Sequence, residues 1–215
     1  NPVYSHSIAR NRVYRIRLWP SVASGSGLRD NTFFVFLHSG QKCMPESSQP
    51  VRVAINGFGR IGRCVLRALY ENGYREQLQV VAVNELADIE TISYMLRYDS
   101  THGRFPGTVE VVDERHLLVN GDRICVRHEA DSARHDWAAL NVDLVLECSG
   151  QIKTRSECES HLSGGASKVL ISNPADSEVD NTIIYGLNHH TLSPEQTIVS
   201  NGSCSTNCLL PLLTL

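Results

Sequence analysis

The tightest constraint on the fold lies in one stretch, "VRVAINGFGRIG", from Val51 to Gly62. Val51, Val53 and Ile55 put a β-branched residue at every second position, which predicts a strand over Val51 to Asn56. Gly57, Gly59 and Gly62 then make G-x-G-x-x-G. "RCVLRALYENG" follows, with Val65, Leu66, Leu69 and Tyr70 at helical spacing and Gly73 as the stop. "LQVVAVN", Leu78 to Asn84, is a second strand, dense enough in valine to be buried on both faces of a parallel sheet. A strand, a glycine loop, a helix and a parallel strand form a βαβ unit, and few folds accept one.

The alternation continues to the end of the chain. "DIETISYMLRYD" reads as a helix. Val109 to Val112, Leu117 to Val119 and Ile124 to Val126 read as strands, with Asn120-Gly121 as the hairpin turn between the last two. "VDLVLECSG" is a strand ending in a small-residue turn, and "TRSECESHLSGG" is a helix capped by Gly164 or Gly165. "SKVLISNP", "NTIIYGLN" and "TIVSN" are strands. The predicted fold class is α/β, a Rossmann-type doubly wound, mostly parallel sheet.

Residues 1–50 differ in texture. The first 29 hold no Asp or Glu but carry Arg10, Arg12, Arg15, Arg17 and Arg29, with frequent serine and a linker-like "SVASGSG". The composition fits a targeting peptide, or a disordered or non-native extension. No sustained helical or strand period appears there. The expected organisation is therefore an extension over 1–50, a nucleotide-binding domain over 51–203, and over 204–215 the first helix of a truncated catalytic domain. The chain begins at Asn1 and ends inside "CLLPLLTL", so a fragment is expected.

A net charge of -3 gives no basic footprint, so nucleic acid is not an expected partner. The longest apolar candidate, "FFVFL" at Phe33 to Leu37, is too short to span a membrane. Seven cysteines are scattered without a CxxC pair, so no metal site is expected and a reducing cytoplasm is the simplest compartment.

Each glycine of the loop has a physical task. Gly57 allows a tight turn, Gly59 lets the backbone approach a pyrophosphate, and Gly62 lets the helix pack close to the strand. The free N–H groups at the helix start then face phosphate. Glu85, at the end of the second strand, stands where an acid accepts from ribose hydroxyls and repels a 2′-phosphate, so NAD is expected over NADP. The bland alternative is a tight βα turn, with Glu85 only opening the next helix.

"SNGSCSTNC", Ser200 to Cys208, carries the other chemistry. Cys204 follows a predicted strand and opens an apolar helix, where the dipole favours thiolate. Ser203 and Ser205 flank it with hydroxyls suited to a phosphate or an oxyanion. Cys208 lies one turn on, on the same helix face, and is expected to be a buried packing residue. Cys204 itself has the same alternative. A thiolate beside a nucleotide site suggests attack on an aldehyde, hydride loss to NAD and cleavage of the resulting thioester.

These residues resemble a known family. "VRVAINGFGRIGR", "YDSTHGRF", "HLSGGASKVLIS" and "IVSNGSCSTNC" are similar in order and spacing to the glyceraldehyde-3-phosphate dehydrogenase family, over Val51 to Leu215. "NELAD", "LECSG" and "DNTIIYGLN" look more like its erythrose-4-phosphate dehydrogenase branch. The resemblance implies that Cys204 is the nucleophile, that Asn56, Gly57, Phe58, Gly59, Arg60 and Ile61 line the pyrophosphate, and that Glu85 holds the adenosine ribose. It implies that Ser149 and Gly150 border the cofactor, that Ser172 lies near the nicotinamide, and that Ser203 and Ser205 border a phosphate pocket. Gly202 stands where that family usually has Ala, which is expected to loosen the turn, and Ser205 where it has Thr. The resemblance also implies a histidine base beyond residue 215, a small phosphorylated aldehyde as substrate and a homotetramer. Oxidation of erythrose 4-phosphate to 4-phosphoerythronate, which feeds pyridoxal phosphate synthesis in that branch, is the leading expectation. Oxidation of glyceraldehyde 3-phosphate in glycolysis is the second. An inactive NAD-binding fragment is the third. The histidines present are expected to be structural or solvated.

Overall fold

The computed structural model describes residues 16–20, 33–37 and 49–213. Strands β1 (Ile16–Pro20) and β2 (Phe33–Leu37) pair antiparallel, Ile16 opposite Leu37. The sequence shows no sustained period over 1–50, so this pair is a departure. A short aromatic and β-branched run such as "FFVFL" favours a strand without needing alternation. The rest of the extension lies outside the described residues.

From Val51 the βαβ order holds. β3 (Val51–Asn56) leads through the glycine loop to α1 (Arg60–Glu71) and β4 (Leu78–Asn84). α2 (Ile89–Arg97), β5 (Tyr98–Asp99) and β6 (Gly103–Arg104) precede a meander of β7 (Val109–Asp113), β8 (His116–Val119) and β9 (Asp122–Arg127). β10 (Leu144–Glu147), α3 (Arg155–Ser163), β11 (Lys168–Ile171), β12 (Asn181–Thr182), β13 (Ile198–Ser200) and α4 (Cys204–Leu213) complete the order.

Nine strands form one sheet in the order β12-β13-β11-β10-β3-β4-β9-β8-β7. Every pairing from β12 to β9 is parallel, and β8 and β7 add an antiparallel edge. The chain winds outward from β3 to β4 on one side and resumes at β10 on the other. The switch point is therefore between β3 and β10, where open α/β sheets form their ligand crevice. The fold class is the one expected.

The central strands are buried throughout because both faces are covered. Val53 and Ile55 pack with Val65, Leu66 and Leu69 of α1 and Ile92 of α2. Ala54, Ala82 and Val145 face the other way, towards Trp137 and Cys158. Successive strand side chains alternate faces, so one valine-rich run serves two cores.

Turn chemistry accounts for several boundaries. Asn120 and Gly121 take φ 48° and 89°, the two left-handed positions of the expected hairpin turn. Gly73 takes φ 73° just past α1, the expected helix stop. Of the two glycines after α3, Gly165 is the left-handed one, at φ 103°. α2 ends at Arg97, short of the predicted span. There the Asp99 carboxylate accepts from the Thr101 and His102 amides, at 2.8 and 2.9 Å, and turns the chain into the β5–β6 pair. "NTIIYGLN" is a strand only at Asn181–Thr182. Asn188 replaces the ladder beyond it, accepting from the Ile184 amide at 2.7 Å and donating to the Thr182 carbonyl at 2.8 Å. Among the described residues no helix is long and apolar enough to cross a membrane, and no cluster of His, Cys, Asp or Glu is placed to hold a metal ion.

Candidate active site

The glycine loop sits at the carboxyl end of β3, at the switch point. Gly57 has φ +86°, and a Cβ there would lie 2.4 Å from both the N and the Cα of Ser149. Conformation and contact both demand glycine. A Cβ on Gly62 would lie 2.3 Å from the Gly57 carbonyl oxygen and 3.0 Å from Ile55 Cγ2, so its absence brings α1 down onto β3. A Cβ on Gly59 would meet nothing within 4 Å. It would project into the open cradle above the loop, where a pyrophosphate needs room. The tight turn at Gly57 and the close packing at Gly62 are the tasks expected of those two glycines, and Gly59 has open space above it.

The helix starts differ in a telling way. Asp88 caps α2 by accepting from the Thr91 amide at 2.8 Å, and Thr154 with Glu157 forms a capping box on α3. α1 starts at Gly59 with no side-chain cap and no acid in its first turn. Its first-turn amides and positive dipole end thus receive no anionic side chain of its own, which leaves them fit for phosphate. Arg60 opens the helix and is 3.4 Å from Asp99 and from Thr101 Oγ1.

Glu85, one residue past β4, turns back to the loop. Its Oε2 accepts from the Phe58 amide at 3.0 Å and its Oε1 from the Leu86 amide at 2.9 Å. The carboxylate thus borders the cradle beside the glycines. Phe58 itself is buried in the core, so only its backbone faces this side. Across the crevice, Ser149 and Gly150, the latter at φ +72°, form the turn after β10. Ser172 follows β11, and its amide donates to the Glu147 carbonyl at 2.9 Å.

The thiol half lies further along the same sheet edge. The Asn201 amide donates to the Ile171 carbonyl at 2.9 Å. Ser200 Oγ donates to the Asn173 carbonyl at 2.8 Å and accepts from the Gly202 amide at 3.0 Å, folding the chain over the end of β13. Gly202 has φ +68°, and a Cβ there would lie 2.9 Å from Ile184 Cδ1. Glycine therefore fits this turn rather than loosening it. Ser203 Oγ accepts from the Thr206 amide at 3.0 Å and is 3.1 Å from Ser205 Oγ. Cys204 follows as the first residue of α4 and is exposed. Cys208 shares its face and is exposed too, not buried as expected, because the buried position of α4 is Asn207. Asn207 Nδ2 donates to the carbonyls of Asn201 and Ser203, at 2.8 and 2.9 Å.

One mainly apolar cleft of about 270 Å³ joins the two halves. Ile61 and Val65 of α1, Cys148 and Ser172 after the central strands, and Gly202 to Cys204 all line it. Cys148 keeps some surface open, yet burial of its sulfur pushes the thiol up to about 12. Ser172 therefore lies in the same cleft as Cys204, apart from the phosphate cradle.

Beneath the loop lies a set of polar residues of which only Asn56 was an expected site residue. Asn56, Asn84 and Glu147 are the last residues of β3, β4 and β10, in matching register and buried. Asn56 Nδ2 donates to Glu147 Oε2 at 2.6 Å, and Asn84 Nδ2 donates to Asn56 Oδ1 at 2.8 Å. His161 Nε2 is 3.0 Å from Glu147 Oε2. Burial pushes the Glu147 carboxyl up, but donors from His161, Asn56 and Ser149 outweigh it and hold the pKa below the ordinary glutamate value. The one available signal was three polar residues closing otherwise apolar strands. The remaining expected positions, Gly57 to Ile61, Glu85, Ser149 and Gly150, gather around the crevice, whereas the Asn56 side chain is directed beneath it.

The crevice at the switch point, the uncapped helix start and the carboxylate after the second strand define a dinucleotide-binding domain of the doubly wound class. Residues 51–155 match the family described as glyceraldehyde 3-phosphate dehydrogenase, NAD binding domain. Over these residues, just under half of the chain, the match supports that family's NAD-binding domain, with NAD as the cofactor, and with it an NAD-dependent dehydrogenase. Ser172, Ser203, Cys204 and Ser205 lie beyond the matched span.

Proposed function

We propose that the protein oxidises a phosphorylated aldose aldehyde through Cys204, with D-erythrose 4-phosphate as the leading substrate. The observation that carries this reading is the single cleft lined both by Ile61, from the glycine-loop helix, and by Cys204. Bound NAD supplies the hydride acceptor. The Cys204 thiolate adds to the aldehyde carbon, and the carbonyl oxygen takes a proton to give a hemithioacetal. Loss of hydride and of the hydroxyl proton leaves a thioester on Cys204. Water then releases 4-phosphoerythronate and restores the thiol. With inorganic phosphate as acceptor, the product is an acyl phosphate. Ser203 and Ser205 are the proposed partners of the substrate phosphate, and Glu85 of the adenosine ribose. The choice of erythrose 4-phosphate rests on "NELAD", "LECSG" and "DNTIIYGLN". The experiment is NADH formation from erythrose 4-phosphate and from glyceraldehyde 3-phosphate, each with and without phosphate. Faster, strictly phosphate-dependent turnover of glyceraldehyde 3-phosphate replaces the first substrate with the second.

A second reading is an NAD-binding unit without turnover. It is favoured by one observation: among the described residues that line the cleft there is no histidine to serve as base. NAD binding without NADH formation from either aldehyde would support it.

A further inference from the structure

The buried polar row has a direction, and both of its ends are set by groups that cannot reverse. At one end the backbone of Glu129 grips Asn84: its amide donates to Asn84 Oδ1 at 2.9 Å, and its carbonyl accepts from Nδ2 at 2.8 Å. A backbone amide only donates and a carbonyl only accepts, so the Asn84 amide has one orientation. Its second N–H must then point at Asn56 Oδ1, which turns Asn56 Nδ2 towards Glu147. At the other end the indole Nε1 of Trp137, a donor only, lies 3.2 Å from His161 Nδ1. That nitrogen must accept, so the proton of a neutral imidazole sits on Nε2 and points at Glu147 Oε2.

Glu147 thus receives donors from both directions. Its other oxygen takes the Ser149 amide at 2.8 Å and the Ser149 hydroxyl. Four donors meet one carboxylate, which only an acceptor-only group satisfies. Glutamine would set a donor against a donor at either oxygen, although its shape is the same. Trp137, His161 and Glu147 are fully buried, on the face of the sheet opposite α1. Ser149 is the residue whose backbone Gly57 touches. The row therefore links the loops after β3, β4, β9 and β10, all of which border the crevice.

We propose that Trp137 and His161 are positioning residues for NAD: through Glu147 they hold the Ser149 turn and the glycine loop at the separation the dinucleotide needs. The proposal rests on the NAD reading of the crevice. His161 is fully buried and does not line the cleft, so it reaches the cofactor site through Glu147.

The test compares H161L with H161Q, and with V145A, which thins the same core against Trp137 but removes no hydrogen bond of the row. Glutamine keeps a donor for Glu147 and an acceptor for Trp137, and leucine keeps neither. NAD affinity is read by calorimetry below the melting temperature of each variant. H161L is expected to weaken NAD about tenfold, as loss of one hydrogen bond to a charged group does. H161Q and V145A are expected to stay within about threefold. Weakening by V145A equal to that by H161L, at a similar loss of melting temperature, would overturn the proposal. If H161L does not fold, W137F removes the indole donor that sets the tautomer together with some buried ring volume, and it is compared with V145A in the same way. Nitrogen-15 spectra of the wild-type imidazole give a readout independent of cofactor. Neutral His161 with its proton on Nε2 is expected, and an imidazolium or an Nδ1–H tautomer at pH 7 sinks the row as described. Wild-type protein that binds no NAD would overturn the cofactor reading, with the imidazole spectrum still deciding the row.

Discussion

The two halves of the site are built on opposite principles. The dinucleotide half stands on three strand ends whose buried side chains bond to one another, and Gly57 is wedged against Ser149. The thiol half is a single helix of which Asn207 is the buried residue, with Leu209, Leu212 and Leu213 exposed on its surface. A phosphate cradle needs rigid amides at fixed spacing, and rigidity comes from burial and saturated hydrogen bonds. A nucleophile needs access, and access removes the packing that would fix it. The binding half should therefore fail globally when altered, and the reactive half locally.

The largest expected effect is in the binding half. Gly57→Ala places a Cβ at φ +86° and 2.4 Å from backbone atoms of Ser149, so the loop must move. Strain at such a position costs about 1–3 kcal/mol before the clash is counted. NAD affinity is expected to fall by more than about 100-fold, measured by calorimetry. Near-wild-type binding by this variant would break the comparison.

Glu147→Gln is expected to come next, destabilising by about 3 kcal/mol because a buried donor is left facing a donor. The pH dependence sharpens it. The folded carboxyl is held below its unfolded value by His161, Asn56 and Ser149 against the opposing push of burial. Its contribution is therefore complete above the unfolded pKa of about 4.3 and lost as pH falls through the lower folded value. His135, stacked on Trp137 at 4.4 Å beside this row, is pushed down to about 4 by burial and then by His161, so it is neutral down to about pH 4 and takes up a proton below it. Melting curves from pH 7 to pH 3 should show the gap between wild type and Glu147→Gln narrowing at the acid end.

In the thiol half, Asn207→Ala removes the donors to the Asn201 and Ser203 carbonyls and should cost about 1–2 kcal/mol. The effect should be confined to α4: faster amide exchange there, with NAD affinity changed less than about twofold. A large loss of NAD affinity would mean that the halves are coupled. Gly202→Ala should cost about 1 kcal/mol, through a left-handed backbone and a 2.9 Å approach to Ile184, and is read by melting temperature. The smallest perturbation is alkylation without mutation. Cys204 and Cys208 should react before Cys64 and Cys158, which are buried, and before Cys148. For Cys148 and Cys158, burial pushes the thiol up to about 12, leaving little thiolate.

Legibility followed the range of the forces involved. The glycine loop could be read because turn geometry and helix starts are local, although the contact with Ser149 that also demands glycine at Gly57 is not. Glu85 could be placed because strand length fixes where β4 ends. "NTIIYGLN" misled because Asn188, a few residues on, captured the backbone groups of Thr182 and Ile184 that a strand would have used. Cys208 misled because apolar character along α4 does not say which face is covered.

By itself the sequence determined the βαβ order, the phosphate cradle and the position of Cys204 at a helix start, since each depends on residues close in the chain. Only the tertiary structure decided that Glu147, His161 and Trp137 meet. They lie on a strand, a helix and a loop, and the direction of their hydrogen bonds is set across the sheet by Glu129 and the indole. No local pattern encodes that direction, because it exists only once four separate loops share one buried row.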